Sequence, residues 1–152
     1  MIDPQQFRDA LAGWASGVSV IACRVEDRVV ATTVSAFTSL SVDPPLVLVA
    51  LGPNATVRPF LEPGRRFTIS ILSATQRRLA MIFADPFPVG PSPFPESGDP
   101  VIPDSLVTLV CTVDRVDYGG DHAIVIAGVQ EATWQDGDPL VRYRRKYHAL
   151  GT

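Results

Sequence analysis

The sequence predicts a mainly β protein: an antiparallel barrel of six or seven strands with two or three short helices. Runs of β-branched and apolar residues recur along the chain, separated by short turn signals, whereas helical periodicity is confined to brief stretches. No G-x-G-x-x-G follows a strand and no Gly-Lys-Ser/Thr loop occurs, which removes the Rossmann and P-loop devices of parallel α/β folds. The 152 residues suit a single domain spanning 1–152, long enough to bury roughly two thirds of its unfolded surface.

The elements follow in order. Asp3 before Pro4 reads as an N-cap with proline at the first helical position, and Phe7, Ala10, Leu11 and Trp14 then fall at i, i+3, i+4, i+7. This predicts a short amphipathic helix ending near Gly17, with Trp14 in the core. Val18 to Val25 and Val29 to Ser35 read as strands joined at Glu26-Asp27-Arg28. Leu46 to Leu51 is apolar on both faces and reads as a central strand. Asn54 is placed to cap a short helical turn reaching Leu61, and Phe67 to Leu72 returns to alternation. Ser73-Ala74-Thr75-Gln76 fits a capping box, continued by Leu79, Ile82 and Phe83 as a helical stripe. Residues 85–104 hold seven prolines, too many for a helix or inner strand, so a long ordered loop or flap is expected. Leu106 to Val116 and His122 to Trp134 read as two long strands, with Trp134 in the core or an interface. A turn at Asp136-Gly137-Asp138 leads to Pro139-Leu140-Val141 and a basic tail.

Composition narrows the function classes. Apolar residues at 46% and charged residues at 19% argue against intrinsic disorder. A net charge of −3 offers no long-range attraction to a phosphate backbone, so nucleic acid is not the expected partner. The basic run Arg142, Arg144, Arg145, Lys146 is either a solvated segment or a local contact to a ligand phosphate or partner chain. The start Met1-Ile2-Asp3-Pro4 lacks a signal-peptide pattern and no apolar run reaches membrane length, so the reading is soluble and cytoplasmic, without a membrane partner. Cys23 and Cys111 sit inside apolar runs without metal-ligand spacing. They are expected to be buried, unreactive thiols, and no metal site is expected.

The stretch VSAFTSLSVDPPLVLV (34–49) crowds hydroxyls ahead of Asp43-Pro44-Pro45, which restricts the backbone at three consecutive residues. The expectation is a rigid loop presenting Thr38, Ser39 and Ser41. Such hydroxyls either solvate an ST-turn or surround a phosphate or a planar heterocycle.

The run ATTVSAFTSLSVDPPLV (31–47) resembles the flavin reductase-like family, the FMN-binding split barrels that serve as reductase components of two-component flavin monooxygenases. FRDALAGWASGVSV (7–20) is similar to that family's opening helix and first strand, and GDHAIVIAGV (120–129) resembles its Gly-Asp-His strand. Pro139-Leu140-Val141 with Tyr143 and Tyr147 is also similar. The resemblance implies a six-stranded antiparallel split barrel, normally a homodimer, with flavin near the interface. It places Thr33, Val34, Ser35 and Ala36 along the isoalloxazine edge with Ala50 nearby. Ala36 stands where the family often has Ser, so only its backbone N–H can serve. Ser39 and Ser41, with Asn54, Ala55 and Thr56, would serve the ribityl phosphate, Tyr147 would lie close to the ring system, and His122 near the nicotinamide. The proline-rich segment would border the cleft.

The implied activity is NAD(P)H:flavin oxidoreductase: hydride passes from NADH or NADPH to FMN, with FAD as the other candidate, and reduced flavin diffuses to a partner monooxygenase. Hydride transfer is chemistry the cofactors carry, which accords with a chain lacking a nucleophile–base pair. The alternatives are an FMN-binding electron carrier and a repurposed biosynthetic flavoenzyme without nicotinamide turnover.

Overall fold

The computed structural model describes residues 1–151. Helix α1 (Pro4–Leu11) opens the chain, its N-terminus capped by the Asp3 carboxylate, which accepts from the Gln5 and Gln6 N–H groups. The strands are β1 (Ser16–Gly17), β2 (Ser19–Val25), β3 (Arg28–Val34), β4 (Phe37–Ser41), β5 (Leu46–Leu51), β6 (Arg66–Ile71), β7 (Val107–Gly119), β8 (His122–Trp134), β9 (Leu140–Tyr143) and β10 (Lys146–Ala149). A 3₁₀ turn at Ala74–Gln76, closed by the Ser73/Gln76 capping box, runs into α2 (Arg77–Ala84).

All pairings are antiparallel, in the order β3-β2-β6-β7-β8-β5-β4, with a small sheet β1-β9-β10 beside them. The two edge strands are consecutive in sequence. β3 leaves β2 at the Val34–Ser19 pair and β4 joins β5 at Phe37–Val49, so one strand bends at Ser35–Ala36 and crosses the split between the sheet's two ends. Counted that way the barrel has six strands, as expected.

Strand alternation sorts the core into two layers. Ile21, Cys23, Val30, Val34, Val49, Leu51, Phe67, Ile69, Cys111 and Val125 fill the barrel. Val18, Val20 and Ala22 face outward and are covered by α2 and Ile102. Burial pushes the Cys111 thiol up to about 12 and raises that of Cys23, so both are the inert thiols expected.

Several expectations are corrected. The opening helix stops at Leu11 rather than near Gly17, where Gly13 breaks the pattern. None of its residues is buried, and Trp14 is 74% exposed rather than in the core. Trp134, 78% exposed, is not core either. The hydroxyl stretch is not a loop: Phe37–Ser41 pairs with β5, and the turn comes after it, at a cis Asp43–Pro44 bond. Asn54 caps no helix; only a 3₁₀ turn at Arg58–Phe60 forms, flanked by Val57. The basic segment is a hairpin, β9–β10, whose turn holds Arg144 and Arg145 at positive φ.

The proline-rich segment is an ordered strap on the outer layer. Arg24 donates to the Gly98 and Pro95 carbonyls (2.9 and 2.8 Å), Arg66 pairs with Asp99 (2.8 Å), and the Thr68 hydroxyl donates to the Pro100 carbonyl (2.6 Å). Ile102 is buried and Phe94 packs on Phe83.

Candidate active site

The bend at Ser35–Ala36 is where the chain's main cleft lies. Its volume is about 620 Å³, within the range of small-molecule sites. The floor is Ser35, Ala36, Thr38, Leu48 and Ala50; Phe7, Leu11 and Trp14 form one apolar wall, and Arg142 to Arg145 form the basic rim. Arg8 adds a further cation, and no carboxylate lines the cleft among the described residues. Ala50 N–H donates to the Ala36 carbonyl (2.9 Å), which fixes the bend against β5.

The wall exists because α1 hangs on the hairpin rather than on the core. Arg144 N–H donates to the Ala12 carbonyl (2.9 Å), and Arg145 pairs with Asp9, holding that carboxyl below the usual carboxylate range. The apolar stripe of α1 therefore faces the cleft.

His122 stands at the other end of the same sheet face. The β5–β8 register pairs Ala50 with Ile124 and Leu51 with Ala123; cross-strand partners share a face, so His122 sits beside Gly52, about 7 Å along from Ala50. A Cβ at Gly52 would stand 3.4 Å from His122 Nε2, so the glycine leaves the ring its space. Asp121 meets Nδ1 at 2.7 Å, while Nε2, on the Gly52 side, has no hydrogen-bond partner among the described residues, and the Asp121 bond lowers that carboxyl. The Arg58 guanidinium donates to the Asp121 and Leu51 carbonyls (2.8 and 3.3 Å), tying the two strand ends together.

The expected flavin residues divide. Ser35, Ala36 and Ala50 line the cleft. Val34 points into the barrel, and Thr33 points the other way, its hydroxyl donating to the Ala80 carbonyl of α2 (2.7 Å). Thr56 is occupied: Val57 N–H donates to the Thr32 hydroxyl, that hydroxyl meets Thr56 Oγ1 at 2.9 Å, and Thr56 Oγ1 donates to the Ala31 carbonyl. The amide can only donate and the carbonyl only accept, so the direction of the whole chain of bonds is set. Asn54 and Ala55 follow Gly52 beside His122, with Ala55 N–H bonded to the Gly52 carbonyl.

Ser39 and Ser41 do not join Asn54–Thr56 around one phosphate within the chain. Ser41 pairs with Leu46, six strand residues before Gly52, or about 20 Å away. Tyr147 lies on the far side of the hairpin, under the Arg142 guanidinium (4.6 Å). No residue of the proline-rich strap lines the cleft, contrary to expectation.

Reading the sequence missed Phe7, Leu11 and Trp14 as a cleft wall and Leu48 as part of its floor. Their apolarity signals burial, and only the tertiary arrangement leaves them open.

Fold and cleft together define a split β-barrel with a site suited to a flat, anionic heterocycle. The chain belongs to the flavin reductase like domain family, which it matches over residues 11–151. It is 34% identical to the NADH-dependent flavin reductase of a Rhodococcus species, covering 98% of this chain and 88% of that protein. It is 37% identical to the reductase component of 4-hydroxyphenylacetate 3-monooxygenase from Thermus thermophilus, over 96% of each. The solved structure of flavin reductase PheA2 in its native state superposes with a TM-score of 0.87 at 34% identity, covering 99% of this chain and all of that one.

Proposed function

We propose that the protein is an NADH:flavin oxidoreductase that transfers hydride to FMN and supplies reduced flavin to a separate monooxygenase. The observation that carries this is the cleft, where small residues, apolar walls and a cationic rim converge on one bend of the barrel, with no carboxylate among the described lining residues. That set of groups fits a planar ring bearing a phosphate. The relatives' names support it: one is NADH-dependent, another the reductase component of a monooxygenase.

Bound flavin supplies the hydride-accepting ring; the chain binds, orients and excludes water. Ser35, Ala36 and Ala50 bring backbone and small side chains to the ring edge, with Val34 and Thr33 supporting the bend from either face. Asn54 and the backbone around Ala55 take the single phosphate of the mononucleotide, beyond Ala50 on the same face. His122, oriented through Asp121, meets the nicotinamide or the reduced ring. The hairpin arginines take the pyrophosphate of the dinucleotide. Phe7, Leu11 and Trp14 remain open in one chain, and a homodimer covers them.

The test is anaerobic. The purified protein with FMN is mixed with NADH, and the flavin absorbance bleaches on the timescale of turnover. Bound flavin that stays oxidised would refute the reductase and favour a carrier; absence of flavin binding would refute both. Light scattering at twice the chain mass checks the dimer.

A further inference from the structure

Behind the cleft, across the β9–β10 hairpin, lies a second depression of about 410 Å³ lined by Arg77, Met81, Arg142, Arg145, Lys146, Tyr147 and His148. It shares Arg142 and Arg145 with the main cleft, so the two sites adjoin. Arg77 comes from the first turn of α2, and the other cations from the hairpin.

The charges here are not compensated. Arg145 pairs with Asp9, but among the described residues Arg77, Arg142 and Lys146 make no ion pair, and no carboxylate lines the depression. Three like charges brought together in a chain of net charge −3 repel one another, and an anion placed among them relieves that repulsion.

Resting on the reductase reading, we propose that this depression binds the 2′-phosphate of the adenosine ribose, so that the protein accepts NADPH as well as NADH. With the nicotinamide over the cleft floor and the pyrophosphate on Arg142 and Arg145, the adenosine end passes over the hairpin into the depression. In dinucleotide sites of the Rossmann type an Asp or Glu accepts the 2′-hydroxyl of the unphosphorylated ribose whereas arginine accommodates the 2′-phosphate, and the same charge complementarity holds on any fold. Here the lining residues offer cations and no carboxylate. Arg77 and Lys146 are the specificity residues; both are exposed and unpaired, so their removal leaves the fold intact.

The experiment compares kcat/KM for NADPH and NADH, at saturating FMN, in the wild type and in Arg77→Ala and Lys146→Ala. The wild type is expected to use NADPH at least as well as NADH. Each variant is expected to lose tenfold or more with NADPH, through KM, while NADH changes less than threefold. In the wild type 2′,5′-ADP should inhibit at least tenfold more strongly than 5′-AMP. A wild type that turns over NADH but discriminates tenfold against NADPH, or variants that lose both substrates equally, would overturn the proposal while leaving the reductase reading intact. Absence of turnover with either dinucleotide would instead overturn the reductase reading, and this proposal with it.

Discussion

The hydroxyl of Thr56 separates two physical roles. If it holds the flavin phosphate, replacing it with the near-isosteric valine removes a charge-assisted hydrogen bond of about 1.5 to 3 kcal/mol, weakening flavin binding by roughly ten- to 150-fold. The structure instead gives it to the relay Val57 N–H, Thr32, Thr56, Ala31 carbonyl, which joins the loop after β5 to β3 across the split in the barrel. Thr56→Val then deletes two links, leaving the half-buried Thr32 hydroxyl without its acceptor and the Ala31 carbonyl without this donor. At about 1 kcal/mol per net bond the loss is about 2 kcal/mol, or about 4 to 8 °C in Tm for a chain of this size. Thermal unfolding of the flavin-free protein and FMN fluorescence titration read the two quantities separately. The expected result is a lowered Tm with the flavin Kd changed less than about threefold. Thr56→Ser should recover most of the stability. Thr32→Val should cost at least as much, since it strips the acceptor from the amide of Val57, whose side chain is fully buried. A Kd weakened tenfold with an unchanged Tm would refute the reasoning.

Further outcomes follow from the same geometry. Ala50→Leu adds three heavy atoms on the cleft side of β5 and leaves its barrel-facing neighbours untouched, so FMN affinity should fall about tenfold or more with Tm within about 2 °C; tight flavin binding by the variant would place the ring elsewhere. His122→Ala should retain FMN affinity and lose about tenfold in kcat/KM for NADH, and Asp121→Asn should lose less because it only loosens the ring's orientation; wild-type kinetics in His122→Ala would remove its assigned role. The Arg66 guanidinium holds the Asp99 carboxyl below its ordinary value, so the pair's contribution is present above about pH 4 and is lost as pH falls through the depressed value. Asp99→Asn should therefore flatten the acid limb of the stability curve, read by urea unfolding between about pH 2 and 6; an unchanged slope would show the pair contributes nothing. Arg24→Ala frees the Pro95 and Gly98 carbonyls and should speed protease cleavage within the strap, with an unchanged cleavage rate counting against its anchoring role.

Where local chemistry and tertiary context agree, the sequence was sufficient. Val18–Val25 was legible as a strand from its β-branched run, and the structure sends its alternate residues into the two core layers. The Ser73 capping box and the Asp3–Pro4 helix start were legible because a cap is satisfied by residues within one turn. The long β7–β8 hairpin was legible for the same reason, its turn glycines lying next to the strands they join. The site was legible only in part. Ser35, Ala36 and Ala50 reach the cleft as the resemblance implied, while the Thr33 and Thr56 hydroxyls form bonds to residues 47 and 25 positions away.

By itself the sequence determined where most of the strands run and where the turns at Glu26-Asp27 and Asp43-Pro44-Pro45 fall, because these depend on neighbours along the chain. Tertiary structure alone decided which of the crowded hydroxyls are occupied, that the opening helix turns its apolar stripe toward a cleft, and that the basic segment folds into a rim. Those outcomes depend on pairings between distant segments: the 34–37 bend joins one end of the sheet to the other, and Arg144 reaches back to Ala12. A local pattern states what a residue can bond; the assembled barrel states which partner reaches it first.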